Sequence, residues 1–325
     1  MSLPTIIICT YNNVESLART LESLTRQTVG TDFPVLVVDN NSTDDTARVV
    51  ADFSPRLPGL RHVMETVQGQ VHARRRGVAE TRTEWLAFVD DDNSLAPDWL
   101  EEAGNFASRH AQCGAFAGKN LIIWEVEPPA LVRDCAYAYA ALDLGGEELL
   151  LEGETRWVLR GAGLVCRKKA LLDAGWLDWI VCTGRKGSGG TSSGDDTEIV
   201  MRIARAGYEL FYTPGLKLEH HIAAKRLNVD YLCRLHHGFG VADPLLIGLK
   251  TPQSLLQWRV AMGVRLIRLF VTVLRQLPGA VRGGDYGRAK CQMWWAFFRG
   301  AVEGLADVKA LEPAMKRRWL QTGIR

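Results

Sequence analysis

Three carboxylates stand side by side at Asp90, Asp91 and Asp92, directly after the apolar run Trp85-Leu86-Ala87-Phe88-Val89. Like charges this close repel and raise one another's pKa. A divalent cation carrying a phosphate relieves that repulsion, because hard cations such as Mg²⁺ and Mn²⁺ take oxygen ligands. The other reading is a solvated acidic turn that caps a helix starting near Pro97. Asp39 closes a second apolar run, Val35–Val38. A further pair of acids, Asp195 and Asp196, follows Gly184–Gly194, which has five glycines in eleven residues. Inside a domain such a segment is a linker or an active-site lid. Acids where a lid meets a helix suit a catalytic carboxylate, whereas N-capping explains one of the pair but hardly both. His220 and His221 come soon after and add two imidazoles that a metal or a proton could use.

The elements that must position these groups alternate. Thr5–Cys9 reads as a β-branched strand, and a polar turn, Thr10–Asn13, leads to a helix with Leu17, Leu21 and Leu24 on one side. Val35–Val38 is a second strand, and Asn40–Asp45 is dense in N-cap residues and helix-start acids. A weaker strand over Leu60–Met64 and a helix over Gly69–Glu80, carrying Arg74, Arg75 and Arg76, precede the Trp85 strand. Consecutive helical residues diverge, so at least one of those arginines faces water while another can meet phosphate. Later strands are expected at Gly114–Leu121, Leu164–Cys166 and Glu209–Thr213, the last followed by Leu216–His221 with its two histidines, and a helix is expected at Lys168–Ala174. Alternation of this kind predicts an α/β, doubly wound and mostly parallel sheet, with Asp39 and the Asp90–Asp92 cluster along its carboxyl-end rim.

Composition narrows the classes. A net charge of +2 argues against nucleic acid as a partner. Seven scattered cysteines without a C-x-x-C pair suggest neither a disulfide framework nor a cysteine zinc site, and a reducing cytoplasm is the expected location. No signal peptide or spanning helix is expected. Neither G-x-x-x-x-G-K-[ST] nor G-x-G-x-x-G follows the first strand, so a nucleotide would be held by strand-end acids and a metal rather than by a glycine-rich cradle.

In this order and spacing T-Y-N at Thr10–Asn12, V-D-N-N-S-T-D at Val38–Asp44, F-V-D-D-D-N at Phe88–Asn93 and G-D-D-T-E at Gly194–Glu198 resemble glycosyltransferase family 2. The resemblance covers about residues 3–222 and implies a GT-A-type fold and an inverting transfer from a nucleotide-diphosphate sugar, usually a UDP-sugar, to a glycan or lipid-linked saccharide. It implies donor contacts from Thr10, Tyr11, Asp39, Arg74, Asp90 and Asp91. It also implies Mn²⁺ or Mg²⁺ at Asp92, with His220 touching metal or diphosphate, and Asp196 as the base with Asp195 beside it. One departure is Ala73-Arg74-Arg75-Arg76-Gly77, where the family often has A-R-N-x-G. The competing functions are a sugar nucleotidyltransferase, which should show a glycine- and arginine-rich phosphate loop after the first strand, and a nucleotide-sugar-binding module without catalysis.

The expected domains are a catalytic one over 1–224 and a helical region over 225–325. In the latter, Trp258–Leu277 is apolar yet carries Arg259, Arg265, Arg268 and Arg275, the last three on one helical face, and Met293–Phe298 adds an aromatic cluster. Such helices suit an anionic membrane surface, peripheral on the cytoplasmic face, a helical cap or a dimer interface.

Overall fold

A computed structural model describes residues 2–184, 193–250 and 255–311. The expected lid, Gly184–Gly194, therefore lies for the most part outside the described residues. In chain order the elements are β1 (Thr5–Thr10), α1 (Val14–Leu24), β2 (Val35–Asp39), α2 (Thr46–Phe53), β3 (Leu60–Met64), α3 (Gln70–Glu80), β4 (Trp85–Asp90), β5 (Asn93–Leu95), α4 (Trp99–Arg109) and β6 (Cys113–Trp124). There follow α5 (Ala130–Asp134), β7 (Leu149–Leu150), β8 (Leu164–Arg167), α6 (Lys168–Asp173), α7 (Asp195–Arg205), β9 (Glu209–Ile222), α8 (Val229–Lys250), α9 (Leu255–Arg282) and α10 (Gly284–Gly304). The chain divides into two compact units, one of residues 1–123, 140–178 and 202–222, the other of 124–139, 179–201 and 223–325.

The first unit is built on one sheet in the order β3-β2-β1-β4-β8-β6-β9-β5, with β7 paired to β9. The half from β3 to β4 is parallel, as the strand–helix alternation predicts. Beyond it the pairings β4–β8, β6–β8, β5–β9 and β7–β9 are antiparallel, so the sheet as a whole is mixed. Ile6, Ile7 and Ile8 of β1 are fully buried because helices cover both faces of the parallel half, and such strands read as continuous apolar runs. Leu17, Leu21 and Leu24 of α1 pack with Ile6, Ile8, Val35 and Val37. On α3, a Cβ at Gly77 would fall 2.5 Å from the Ile7 side chain, so only glycine lets this helix lie so close to the sheet. The short strand expected at Glu209–Thr213 is longer than that: β9 runs on through Pro214 and Gly215 to Ile222. A single proline is tolerated where its missing N–H leaves no ladder bond unmade.

The second unit is mainly helical. α8 and α10 cross at glycines: Cβ atoms at Gly240 and Gly300 would lie 2.2 Å from Phe297 O and 2.1 Å from His237 O. α9 is tied to α8 where Arg265 donates Nε and Nη2 to the Asp243 carboxylate, both at 2.9 Å. Of the three arginines expected on one face of this helix, Arg265 is thus engaged by an acid that sequence spacing did not reveal. Among the described residues no helix is long and apolar enough to cross a membrane. All seven cysteines are free, and burial pushes the Cys113 and Cys166 thiols well above their ordinary range.

Candidate functional site

The carboxyl ends of the parallel strands gather the polar groups of the first unit. Register sets them side by side: Thr10 of β1 lies opposite Asp39 of β2, and Cys9 lies opposite Asp90 of β4. Two turns are then stitched together above the rim. Asn12 takes a positive φ of 48°, which asparagine tolerates, and its Oδ1 accepts Thr43 N–H at 2.7 Å while Ser42 Oγ accepts Asn12 N–H at 3.0 Å. Asp39 Oδ1 accepts Ser42 N–H at 2.8 Å, and its Oδ2 lies 3.4 Å from His62 Nε2.

Each of the three adjacent acids has its own surroundings. Asp90 Oδ1 lies 3.3 Å from Gln70 Nε2 and 3.5 Å from Arg74 Nη2. Arg74 is buried, with its guanidinium 5.3 Å above the Phe88 ring. Its neighbours on α3 diverge as helical geometry requires: Arg75 donates to Leu177 O, and the exposed Arg76 pairs with Glu80. Asp91 is clamped from α1 and β1, accepting Thr10 Oγ1–H at 2.7 Å and Asn13 Nδ2–H at 2.8 Å. Burial, with Asp92 and Asp90 nearby, pushes its carboxyl up to about 7 against those two donors. Asn13 thus turns its amide to Asp91 instead of capping α1, and the Val14 N–H is accepted by Asp44 Oδ2 at 3.2 Å. Thr10 is therefore engaged with Asp91 directly, whereas Tyr11 stands 36% exposed.

Asp92 faces the other way. Its Oδ1 lies 3.1 Å from Nε2 of His220, a buried residue of β9. The pairing β5–β9 fixes this meeting, because Asn93 stands opposite His220 and Asp92 O accepts His221 N–H at 3.0 Å. Asn93 is fully buried and closes the acidic turn, its Oδ1 accepting Asp90 N–H at 3.0 Å. His221 bonds Ser94 Oγ at 3.0 Å, and burial lowers its pKa. Among the described residues no three His, Cys, Asp or Glu side chains converge on one metal-sized point. One carboxylate nevertheless suits Mn²⁺ or Mg²⁺ in a nucleotide site, where phosphates and water supply most ligands.

Residues 5–137 match the family model described as Glycosyl transferase family 2. The chain carries a glycosyltransferase family 2 domain. Curated relatives agree on the enzyme class. The chain is 24% identical over 229 residues to a glucosyl-dolichyl phosphate glucuronosyltransferase of Haloferax volcanii, covering 70% of this chain and 72% of the relative. It is 28% identical over 250 residues to a pre-mycofactocin glycosyltransferase of Mycobacterium tuberculosis, covering 75% of this chain and 47% of that one, about half the relative's length. Among solved structures, the mannosyltransferase PcManGT from Pyrobaculum calidifontis, in complex with GDP-Man and Mn²⁺, superposes with a TM-score of 0.60 at 20% identity over 94% of this chain and 88% of its own. S. aureus TarS 1-349, in complex with UDP-GlcNAc, does so with a TM-score of 0.53 at 17% identity, over 93% and 91%. The fold of this glycosyltransferase is accordingly GT-A.

In the second unit of the glycosyltransferase, Asp195 and Asp196 open α7, where the helix dipole favours negative charge. Asp195 is buried, and Gly184, at φ 65°, faces its carboxyl so closely that a Cβ would lie 3.3 Å from Cγ. Asp196 is half-buried, and its Oδ1 accepts Thr197 N–H at 2.8 Å. The fully buried Glu198 accepts Val181 N–H at 3.0 Å and Cys182 N–H at 2.6 Å, fastening that stretch of chain to α7.

Sequence reasoning passed over Asn40, Asn93, His62 and Glu198. Asn40 is the plainest omission. Its Nδ2 donates to Glu65 O and Val67 O at 2.9 and 2.8 Å, and its Oδ1 accepts Gly69 N–H at 2.7 Å. The motif D-N-N-S-T-D reads as a helix start, and only the fold reveals that its first asparagine holds a loop almost thirty residues away.

Proposed function

We propose that this glycosyltransferase is a metal-dependent, inverting enzyme that moves a sugar from a UDP-sugar to a glycan or lipid-linked saccharide, with its catalytic domain over residues 1–224. The observation that carries the proposal is the acidic turn split between two supports, Asp91 clamped by Thr10 and Asn13, and Asp92 set against His220. In this reading Tyr11 and Asp39 hold the base and ribose, with Thr10 acting through Asp91. Arg74 and Gln70 keep Asp90 in place beneath the diphosphate. Asp92 and His220 hold Mn²⁺ or Mg²⁺, which when bound stabilises the departing diphosphate as a Lewis acid.

Inversion needs one in-line displacement: the acceptor oxygen bonds to the anomeric carbon as the bond to the diphosphate breaks. A carboxylate must take the acceptor hydroxyl's proton, and Asp196 is the proposed base. It stands in the first turn of α7, where the helix dipole favours negative charge. Asp195, held against Gly184, positions it. The acceptor class draws support from the Haloferax relative, named for glucosyl-dolichyl phosphate, and the metal from PcManGT, solved with Mn²⁺. A lipid-linked acceptor would bring the helical region to the cytoplasmic face of a membrane.

The test is calorimetry of UDP with Mn²⁺, with Mg²⁺ and with chelator, on wild type and Asp92→Ala. Tighter binding with metal in wild type only is expected. Equal affinity in all arms would refute the metal assignment, and a product retaining the donor's anomeric configuration would refute the single displacement.

A further inference from the structure

α9 presents its apolar residues to water. Its buried positions, Trp258, Met262, Leu269 and Val273, lie along one stripe. At 100° per residue, Leu256, Val260, Val264, Ile267, Val271 and Leu274 line the opposite side. Leu256 is 70% exposed, Val260 62%, Ile267 66% and Val281 83%. A surface helix ordinarily turns its polar face outward, so this one is inverted. The same geometry puts Arg268, Arg275 and Arg282 along one border of the exposed stripe and Arg259 near the other, all four exposed. The fifth arginine, Arg265, is bound to Asp243. α9 holds no acidic residue at all. Along the stripe, the half-exposed Phe270 ring meets Phe298 of α10 at 5.7 Å, and Phe298 stacks on the 44% exposed Trp295 at 5.5 Å. The apolar surface thus continues into an aromatic edge.

We infer that the outer face of α9, with the Phe298–Trp295 edge of α10, is a docking surface for an anionic lipid layer, lying in its plane rather than crossing it. Charge decides the occupant. Two α9 helices meeting face to face would bring their arginine borders together with no acid on either to answer them. A layer of anionic headgroups answers every one, while Leu256, Ile267 and Leu274 enter the acyl boundary and Trp295 sits at headgroup depth. The helix is roughly 42 Å long at 1.5 Å per residue, long enough to span several headgroups. This inference does not depend on the donor or metal assignment.

The test is flotation of the full chain with vesicles of phosphatidylcholine alone or with phosphatidylglycerol added. Retention on the anionic vesicles at low salt and partial release at high salt are expected. Arg268→Gln, Arg275→Gln and Arg282→Gln together should weaken retention by roughly 100-fold, about fivefold for each arginine near an anionic surface. Ile267→Glu with Leu274→Glu, at positions 66% and 45% exposed, should abolish retention while UDP binding is unchanged. Wild type that ignores anionic vesicles would overturn the inference, as would two variants retained as well as wild type. So would a glutamate variant that turns a dimer into a monomer in sedimentation without any effect on vesicles, which would make the occupant a second copy.

Discussion

Replacing Asn40 tests whether a single buried amide holds the loop that leads into α3. Asn40→Ala leaves Glu65 O, Val67 O and Gly69 N–H without their partner, three bonds of 2.7–2.9 Å. At a net 0.5–1.5 kcal/mol each, the cost is roughly 1.5–4.5 kcal/mol. Asn40→Asp separates this account from simple loss of volume. The aspartate keeps an acceptor for Gly69 N–H but sets an oxygen against two carbonyl oxygens at the 2.8–2.9 Å where the amide had donated. It must then repel both, or take a proton and satisfy only one, so this near-isosteric change should cost at least as much as alanine. The loop so loosened leads straight into α3, which carries Gln70 and Arg74 to Asp90. UDP affinity should fall about tenfold in both variants, the equivalent of one lost hydrogen bond at about 1.4 kcal/mol. Urea unfolding gives the first quantity and calorimetric titration the second. If Asn40→Asp proves milder than Asn40→Ala, or both lie within about 1 kcal/mol of wild type, the latch does not exist.

The remaining expectations are briefer. Asp196→Asn keeps shape but removes the basic oxygen, so turnover should fall by about 10²–10⁴-fold with UDP affinity unchanged; an active Asp196→Asn beside a dead Asp195→Asn would exchange the two roles. Gly77→Ala forces a Cβ to 2.5 Å from Ile7 and should cost about 1–3 kcal/mol in urea unfolding, with no loss meaning that α3 can lift off the sheet. His236 is buried with Nδ1 on Leu232 O at 2.9 Å and Nε2 on Tyr137 Oη at 2.8 Å, and burial lowers its pKa. A depressed folded pKa means stability that is complete above the unfolded value and lost as pH falls through the folded one. Wild type should therefore lose urea resistance more steeply than His236→Gln below about pH 6.5, and parallel curves would show that the folded imidazole takes up its proton as readily as the unfolded one.

How far the sequence carried differs between the halves of the sheet. The parallel half was legible because its strands are buried on both faces, so Thr5–Cys9, Val35–Val38 and Trp85–Val89 read as unbroken apolar runs. In the antiparallel half Gly114–Leu121 and Leu164–Cys166 were legible as β6 and β8, but the extent of β9 was not, since it crosses Pro214 and Gly215, residues that ordinarily punctuate, and β7 has only two residues. At the site, acids announced themselves by crowding. Their partners did not, because Asn13, Asn40 and Asn93 are common turn residues whose amides become structural only once distant backbone arrives. Arg265 shows the same limit in a helix: periodicity assigns a face, but an acid on another helix can claim the side chain.

The three-residue strand β5 acts as a gauge for the site. It leaves the middle of the sheet at the acidic turn and pairs at the far edge with β9, matching Asn93 to His220, Ser94 to Glu219 and Leu95 to Leu218. Side chains alternate across a strand, so one inserted or deleted residue between Asp92 and Leu95 would exchange His220 for a neighbour on the opposite face. This short stretch thus admits substitutions but no change of length. Anyone grafting loops between such enzymes should leave the segment from Asp90 to Leu95 and its partner Leu218–His221 as a single inherited cassette.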